Sequence, residues 1–506
     1  MSIAYNYSGK HQDLATLLRR FQLGDLLHSI SKYSADLMKS HNSESPKEAS
    51  WEKYHVLNGS TRGIEEKNTL VTGWNLIDLA YYAIRSTNDY RGKVIENKEE
   101  FLFLVDAIWA TKEVDEIPVI ESFNDDSPDI LFYLFGFMTE QFRFQDLKLN
   151  NVAVSRELYM LLDIAPTIDG LTDIPVIIQE EVGTDWKAIV ISLYLLFAAT
   201  LAEQTIDTVI KHSIWNETVT KSNFERVLRY FSASYNDVRT SSLGRQFLYT
   251  KPFIKTDKTK ETICISPQLC LMLYEHALYW IVRNYYLKRA DQRFTSEFGI
   301  VFEKYFYQLL RCTMKEDYFE RILEDDQYKR ADWRINLPDY QILLEQKSAA
   351  LGLMAKQQET DIETLKKYCV RNLIDAISQL DATEKYYDDG KYIKIILIYE
   401  EYLNTHILEQ VFRLPKCSVQ DDGYFWLMTI GEAEMLFSLY KNDPVLFKAV
   451  IEKKIQLEKS KSKDGRAIEQ ILRAYGITDN VYLQQEEFSK YKGIGLDSIR
   501  ALLPKQ

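Results

Sequence analysis

Polar and apolar residues alternate with a period of two on both sides of Pro338-Asp339, and the pattern predicts a β-hairpin. With Pro338-Asp339 as the turn, Leu337 opposes Tyr340, Ile335 opposes Ile342, Trp333 opposes Leu344 and Asp332 opposes Glu345. Trp333, Ile335, Leu337, Tyr340, Ile342 and Leu344 then share an apolar face, and Asp332, Arg334, Asn336, Gln341, Leu343, Glu345 and Lys347 share the other. A slip of one residue would mix the two sets, so the pattern argues for this register.

The flanking segments change to helical spacing. Residues 296–311 read as a helix capped by Thr295 or Ser296, with Glu297, Lys304, Gln308 and Arg311 on a narrow polar side. Glu303 falls on the wide apolar arc between Phe306, Tyr307 and Leu310. An acid there is either paired with a base or aimed at a metal centre, and the second is the expectation. A weak strand candidate lies at 318–323. After the hairpin, 360–387 is a long helical run with a stripe of Ile362, Leu365, Cys369, Leu373, Ala376 and Leu380, and Gln379 on its flank. Lys394–Tyr399 then reads as a buried strand.

The polar face of the hairpin brings two carboxylates and an ammonium to one spot. Opposed strand residues have Cβ atoms roughly 4.5–5.5 Å apart, and two carboxylates that close repel unless a proton or cation lies between them. A hard ion with oxygen ligands, Mg²⁺ or Mn²⁺, suits Asp332 and Glu345. Lys347, two residues beyond Glu345 on the same face, is placed to hold an attacking water or offset charge growing on a phosphate. The competing interpretation is a solvated polar face with a surface salt bridge.

Phe298-Gly299 and Glu303 on the first helix, Asp332 on one hairpin strand and Glu345-Gln346-Lys347 on the other resemble the PD-(D/E)XK nuclease superfamily over residues 291–402. Gln379-Leu380 is similar to the glutamine motif of its RecB-type members. The resemblance implies a restriction-endonuclease-like αβββαβ core and Mg²⁺-dependent cleavage of nucleic acid. Asp332 and Glu345 would be metal ligands, Lys347 the catalytic cation, Glu303 an aid to a second ion or to water, and Gln379 a support from the next helix. Asp332 follows Ala331 rather than a proline, and the literal Pro338-Asp339 is assigned to the turn, because both residues are turn formers.

Composition narrows the alternatives. A chain of 506 residues with 46% hydrophobic and 27% charged residues fits two to four globular domains. Cys264, Cys270, Cys312, Cys369 and Cys417 are odd in number and lack metal-ligand spacing, which favours buried thiols in a reducing cytosol. The seven histidines are dispersed, and neither a zinc site nor a Ser/His/Asp set is visible. Met1–Tyr5 lacks the charged-then-apolar order of a secretory signal. The most apolar run, 188–202, is shorter than the ~20 residues needed to cross a bilayer and reads as a buried helix, so no membrane partner is expected. A net charge of −12 argues against broad DNA coating and for local basic patches or a partner protein.

Elsewhere, 11–38 is amphipathic, 41–50 is a loop, and 75–215 is mostly helical with Pro118, Pro128, Pro166 and Pro175 as breaks. Two extended pieces flank the loop 256–259, and a helix over 268–289 leads into the core. Its terminal Tyr285 and Tyr286, beside Lys288, Arg289 and Arg293, are either base-stacking aromatics or helix core with a snorkelling basic end; the second is preferred. Further on, 424–429 reads as a strand, 432–440 and 444–458 as helices, and lysine-rich 453–463 as a solvated stretch. Gly493-Ile494-Gly495 is only a faint helix-hairpin-helix signal.

The expected fold class is therefore α+β: a mainly helical region over 1–290 for sensing, substrate binding or oligomerisation, a nuclease core over 291–402, and a small α/β tail over 403–506. The expected function is a cytoplasmic, Mg²⁺-dependent (or Mn²⁺-dependent) endonuclease acting on DNA ahead of RNA. By resemblance alone it would serve restriction or prokaryotic anti-phage defence, with a protein partner or second copy held by the helical region. The rivals are a nuclease fold kept as a non-catalytic scaffold, and an RNase or toxin using the same core. No P-loop pattern is present.

Overall fold

The computed structural model describes residues 6–7, 14–41, 50–58, 63–121, 151–323, 329–348, 362–399, 406–460, 467–491, 494 and 496–502. The chain is mixed α+β, and the hairpin lies inside a five-stranded sheet. Strands Phe319–Arg321, Trp333–Asn336 and Gln341–Lys347 are antiparallel neighbours, and Tyr392–Ile398 and Phe425–Thr429 continue the sheet in parallel beyond Gln341–Lys347. Trp333 pairs with Leu344, Ile335 with Ile342 and Asn336 with Gln341, as the alternation requires. Leu337 and Tyr340 exchange backbone hydrogen bonds of 2.9 and 3.3 Å around Pro338-Asp339, which closes the two-residue turn.

Both faces of this sheet are covered. Trp333, Ile335, Leu337, Ile342 and Leu344 pack with Phe302, Phe306 and Leu310 of helix Arg293–Thr313. Across the sheet, Leu343, Ile396 and Ile398 pack with Leu365, Cys369, Leu373, Ala376, Ile377 and Leu380. Those residues belong to one helical run: α-helix Ile362–Tyr368, a π-helical turn Cys369–Ile374, and α-helix Asp375–Tyr387. The order from residue 293 is helix, three strands, helix, strand; helix His406–Phe412 then leads to the fifth strand.

The fifth strand comes from the expected tail. Phe425–Thr429 is buried along its length. Thr429 then caps helix Ile430–Asn442 reciprocally with Glu432. The 403–506 segment therefore completes the central sheet and shares its core through Phe437, Phe447, Ile451 and Leu472.

In the 1–290 region the helices are joined by two small sheets that the periodicity did not reveal. Asn6–Tyr7, Ser50–Asn58 and Ile64–Val71 form one, and Ser232–Ser234, Phe253–Lys255 and Thr262–Cys264 the other; the last two strands are the expected extended pieces. The 11–38 pattern divides into helices Leu14–Leu18 and Leu23–His41, because Phe21 bridges Lys93 and Thr87 donates its hydroxyl to the Phe21 carbonyl. Helix Lys98–Glu121 runs through Pro118, while Pro175 starts helix Ile174–Val182 rather than ending one. Pro128 and most of loop 41–50 lie outside the described residues. Helix Trp186–Leu201 is buried by neighbouring helices. Among the described residues no single helix is long and apolar enough to cross a membrane; only this helix and Ile174–Val182, bent by 57°, reach that length and apolarity together.

One buried polar knot ties the three regions. The Arg156 guanidinium donates to both oxygens of Glu434 at 2.6 and 2.7 Å, and Tyr305 and Asn480 donate to the same carboxylate. Four donors on one fully buried acid satisfy it without solvent.

Candidate active site

The site forms where the hairpin ladder stops. Asp332 lies one residue before the paired segment, so its backbone does not continue the ladder. Its side chain does so instead: Oδ2 accepts from the Gln346 backbone N–H at 2.6 Å. The expected Asp332 and Glu345 opposition thus becomes a carboxylate capping the strand that carries Glu345. The Asp332 carbonyl accepts from Ile322 N–H at 2.9 Å, which extends the pairing with edge strand Phe319–Arg321 by one residue.

Glu345 is 3% exposed. Its Oε1 accepts from Lys347 Nζ at 2.6 Å, and its Oε2 is buried without any hydrogen-bond donor. Burial and then the adjacent Asp332 charge push its carboxyl up to about 8. The Asp332 carboxyl is also raised by burial, with Glu303 adding to the effect and the Gln346 amide and Lys347 opposing it. Two acids that resist ionisation side by side, one with a bare oxygen, are an unusual, largely buried pair of hard oxygen donors.

Lys347 also donates to Gln379 Oε1 at 3.2 Å, while Gln379 Nε2 donates to the Arg330 carbonyl at 3.2 Å. The glutamine therefore links the helix to the lysine and to the segment leading into Asp332. Thr383, one turn later, accepts from Ala331 N–H at 2.9 Å and donates to the Gln379 carbonyl at 2.6 Å. Asp332, Glu345, Lys347 and Gln379 are thus brought together.

Glu303 is placed differently from the expectation of a buried, metal-directed acid. It is half-buried and pairs with Arg321 of the edge strand, at 2.7 Å to Oε1 and 3.1 Å to Oε2. Among the described residues no three His, Cys, Asp or Glu side chains are gathered closely enough to hold a metal ion, so Glu303 does not complete a three-carboxylate set with Asp332 and Glu345. Glu297, expected on the polar side, is buried and accepts from Thr172 N–H at 3.1 Å. Gly299 matters for approach: a Cβ there would lie 3.0 Å from Ser348 Oγ, so glycine lets the helix close on the end of the Glu345 strand.

Sequence reasoning missed Gln346, Arg321 and Thr383. Gln346 carried a signal, since alternation places it on the apolar face of Ile342 and Leu344. There it accepts from Trp333 Nε1 at 2.7 Å, joining the ring of the core to the residue that caps onto Asp332. Asp339 is exposed in the turn and pairs with Lys448 at 3.4 Å, far in register from Glu345. Tyr285 donates to Glu180 and is covered by Arg289 at 3.5 Å, while Lys288 pairs with Glu181, so these groups satisfy one another at the helix end. The Gly493 and Gly495 signal lies outside the described residues.

Fitness for a divalent ion follows from the donor set. The buried bare oxygen of Glu345 and the Asp332 carboxylate are hard oxygen donors, and an ion between them would relieve their mutual repulsion. The chain has been compared with family models, curated proteins and solved structures, and none of them matches it.

Proposed function

We propose that the chain is a divalent-metal-dependent nuclease with a restriction-endonuclease-like core of the PD-(D/E)XK kind, cutting DNA phosphodiester bonds. The observation that carries this reading is the buried, donorless Oε2 of Glu345 beside Asp332, with Lys347 within hydrogen-bond reach. A fold under no functional demand would replace such an acid by an apolar residue at little cost. Mg²⁺ or Mn²⁺, when bound by Asp332 and Glu345, would supply Lewis-acid activation of water and of the scissile phosphate. Lys347, released from Glu345, orients water or offsets phosphate charge, and Gln379 fixes its direction. Glu303 acts from the rim through Arg321. Restriction or anti-phage defence is the setting that such a nuclease would serve.

A scaffold reading is favoured by one observation: Lys347 already occupies one oxygen of Glu345 with a hydrogen bond of 2.6 Å. An RNase would use the same residues. Incubation of the full chain with supercoiled plasmid, linear duplex, single strands and RNA, each with Mg²⁺, Mn²⁺ or EDTA, separates the three. Cleavage of DNA with metal but not EDTA is expected. Cleavage of RNA alone would establish the RNase, and inertness on every substrate would leave the scaffold.

A further inference from the structure

A cavity of about 580 Å³ opens on the sheet face opposite the candidate carboxylates, at the same end of the strands. Its floor is formed by the half-buried Tyr307 and Phe319 rings, backed by the buried Trp333 (2% exposed), to which Tyr307 lies nearly parallel at 6.1 Å and Phe319 tilted at 6.4 Å. Arg321 pairs directly across from Trp333, so both side chains point into it, and the paired Glu303 and Arg321 that line the cavity are also charge neighbours of Asp332. Lys304 lies 5.5 Å above the Tyr307 ring.

The lining selects a class of occupant. Glu303 is paired with Arg321 and Glu316 with Arg311, which leaves Asp169 against Lys304, so the lining has no excess positive charge to hold a phosphate. An aliphatic chain would strand those charges. A flat heterocycle with donors and acceptors on its edge meets both the aromatic floor and the mixed rim. We infer that this cavity receives an unpaired nucleobase of the strand whose phosphate lies at Asp332 and Glu345. The inference rests on the nuclease reading and narrows its substrate: a base stacked inside a duplex is unavailable, so single-stranded or locally opened nucleic acid is the preferred form.

The test is anisotropy of one labelled oligonucleotide, single-stranded or annealed to its complement, binding the full chain in EDTA. Tyr307→Leu removes the stacking ring; Ile300→Trp, at a cavity-lining position 48% exposed, fills the cavity without opening the core. The wild type should hold the single strand at least about tenfold tighter than the duplex. Each variant should weaken the single strand about 5- to 150-fold, the equivalent of about 1–3 kcal/mol for one stacked base, and leave the duplex unchanged. If Tyr307→Leu lowers the melting temperature, Ile300→Trp alone decides. Equal effects on both forms, or none, overturn the subsite. Metal-dependent cleavage without single-strand preference removes only the subsite. Single-strand preference without any cleavage removes only the catalytic reading.

Discussion

Replacing Glu345 by glutamine should change the pH dependence of stability before it is ever tested for activity. A carboxyl moved from an ordinary 4.5 to about 8 holds its proton more tightly in the folded chain by about 5 kcal/mol. Below pH 4.5 this group is protonated in both folded and unfolded states, and its full contribution is present. Between 4.5 and 8 only the folded state keeps the proton, so stability falls as pH rises; above 8 the loss is complete. Glutamine cannot ionise and should not follow this curve. With about 2.1 cal/mol/K of unfolding entropy per residue, 506 residues convert 1 kcal/mol into about 1 °C of Tm if the chain melts as one unit. In EDTA, the melting temperature of the wild type relative to Glu345→Gln should therefore drop by about 3–4 °C from pH 5 to pH 8, since part of the loss falls outside that window. The assay is a thermal melt of both proteins at half-unit pH steps. Added Mg²⁺ should reverse the trend for the wild type, because an ion must displace that proton and binds better as pH rises. A Tm difference that stays constant from pH 5 to 9 would refute the buried, proton-holding Glu345.

Lys347→Ala should lower cleavage at least ~10²-fold with circular dichroism unchanged, since the ammonium holds only Glu345 and Gln379; turnover within tenfold of wild type would remove it from the site. Trp333→Ala empties a buried position against Phe306, Tyr307 and Phe319 and should cost about 3–5 kcal/mol, read as a lowered urea midpoint. Glu303→Gln breaks a half-exposed ion pair and should shift stability by no more than about 1 kcal/mol while cleavage declines; full activity would confine Glu303 to the surface. Asp339→Asn, in an exposed turn, should leave cleavage and metal affinity near wild type by calorimetry.

Much of the hairpin was legible because its information is local. Period-two alternation and two turn formers set Trp333 against Leu344 without reference to any distant residue. Helix Pro444–Glu458 was equally local, beginning at its proline. What escaped depends on partners far along the chain. Glu303 sits on an apolar arc, yet Arg321 reaches it because a three-residue edge strand too short to carry a pattern aligns there. The Ser50–Asn58 and Ile64–Val71 hairpin has a largely exposed second strand, Ile-Glu-Glu-Lys, whose alternation is too weak to declare itself. The gathering of Gln379 and Lys347 was readable as chemistry, but the Thr383 and Arg330 contacts that aim them arise only from how the helix crosses the sheet.

The Arg156, Tyr305, Asn480 and Glu434 knot sets a clock on synthesis. Arg156 leaves the ribosome 278 positions before Glu434, a wait of about 15–55 s at about 5–20 residues per second. Until then its guanidinium has no carboxylate to bury against, and the helix bearing Tyr305 cannot take its final seat. The fifth strand of the sheet arrives in the same late stretch. A growing chain thus carries Asp332, Glu345 and Lys347 before the fifth strand and Glu434 arrive to fix the sheet and helix that seat them.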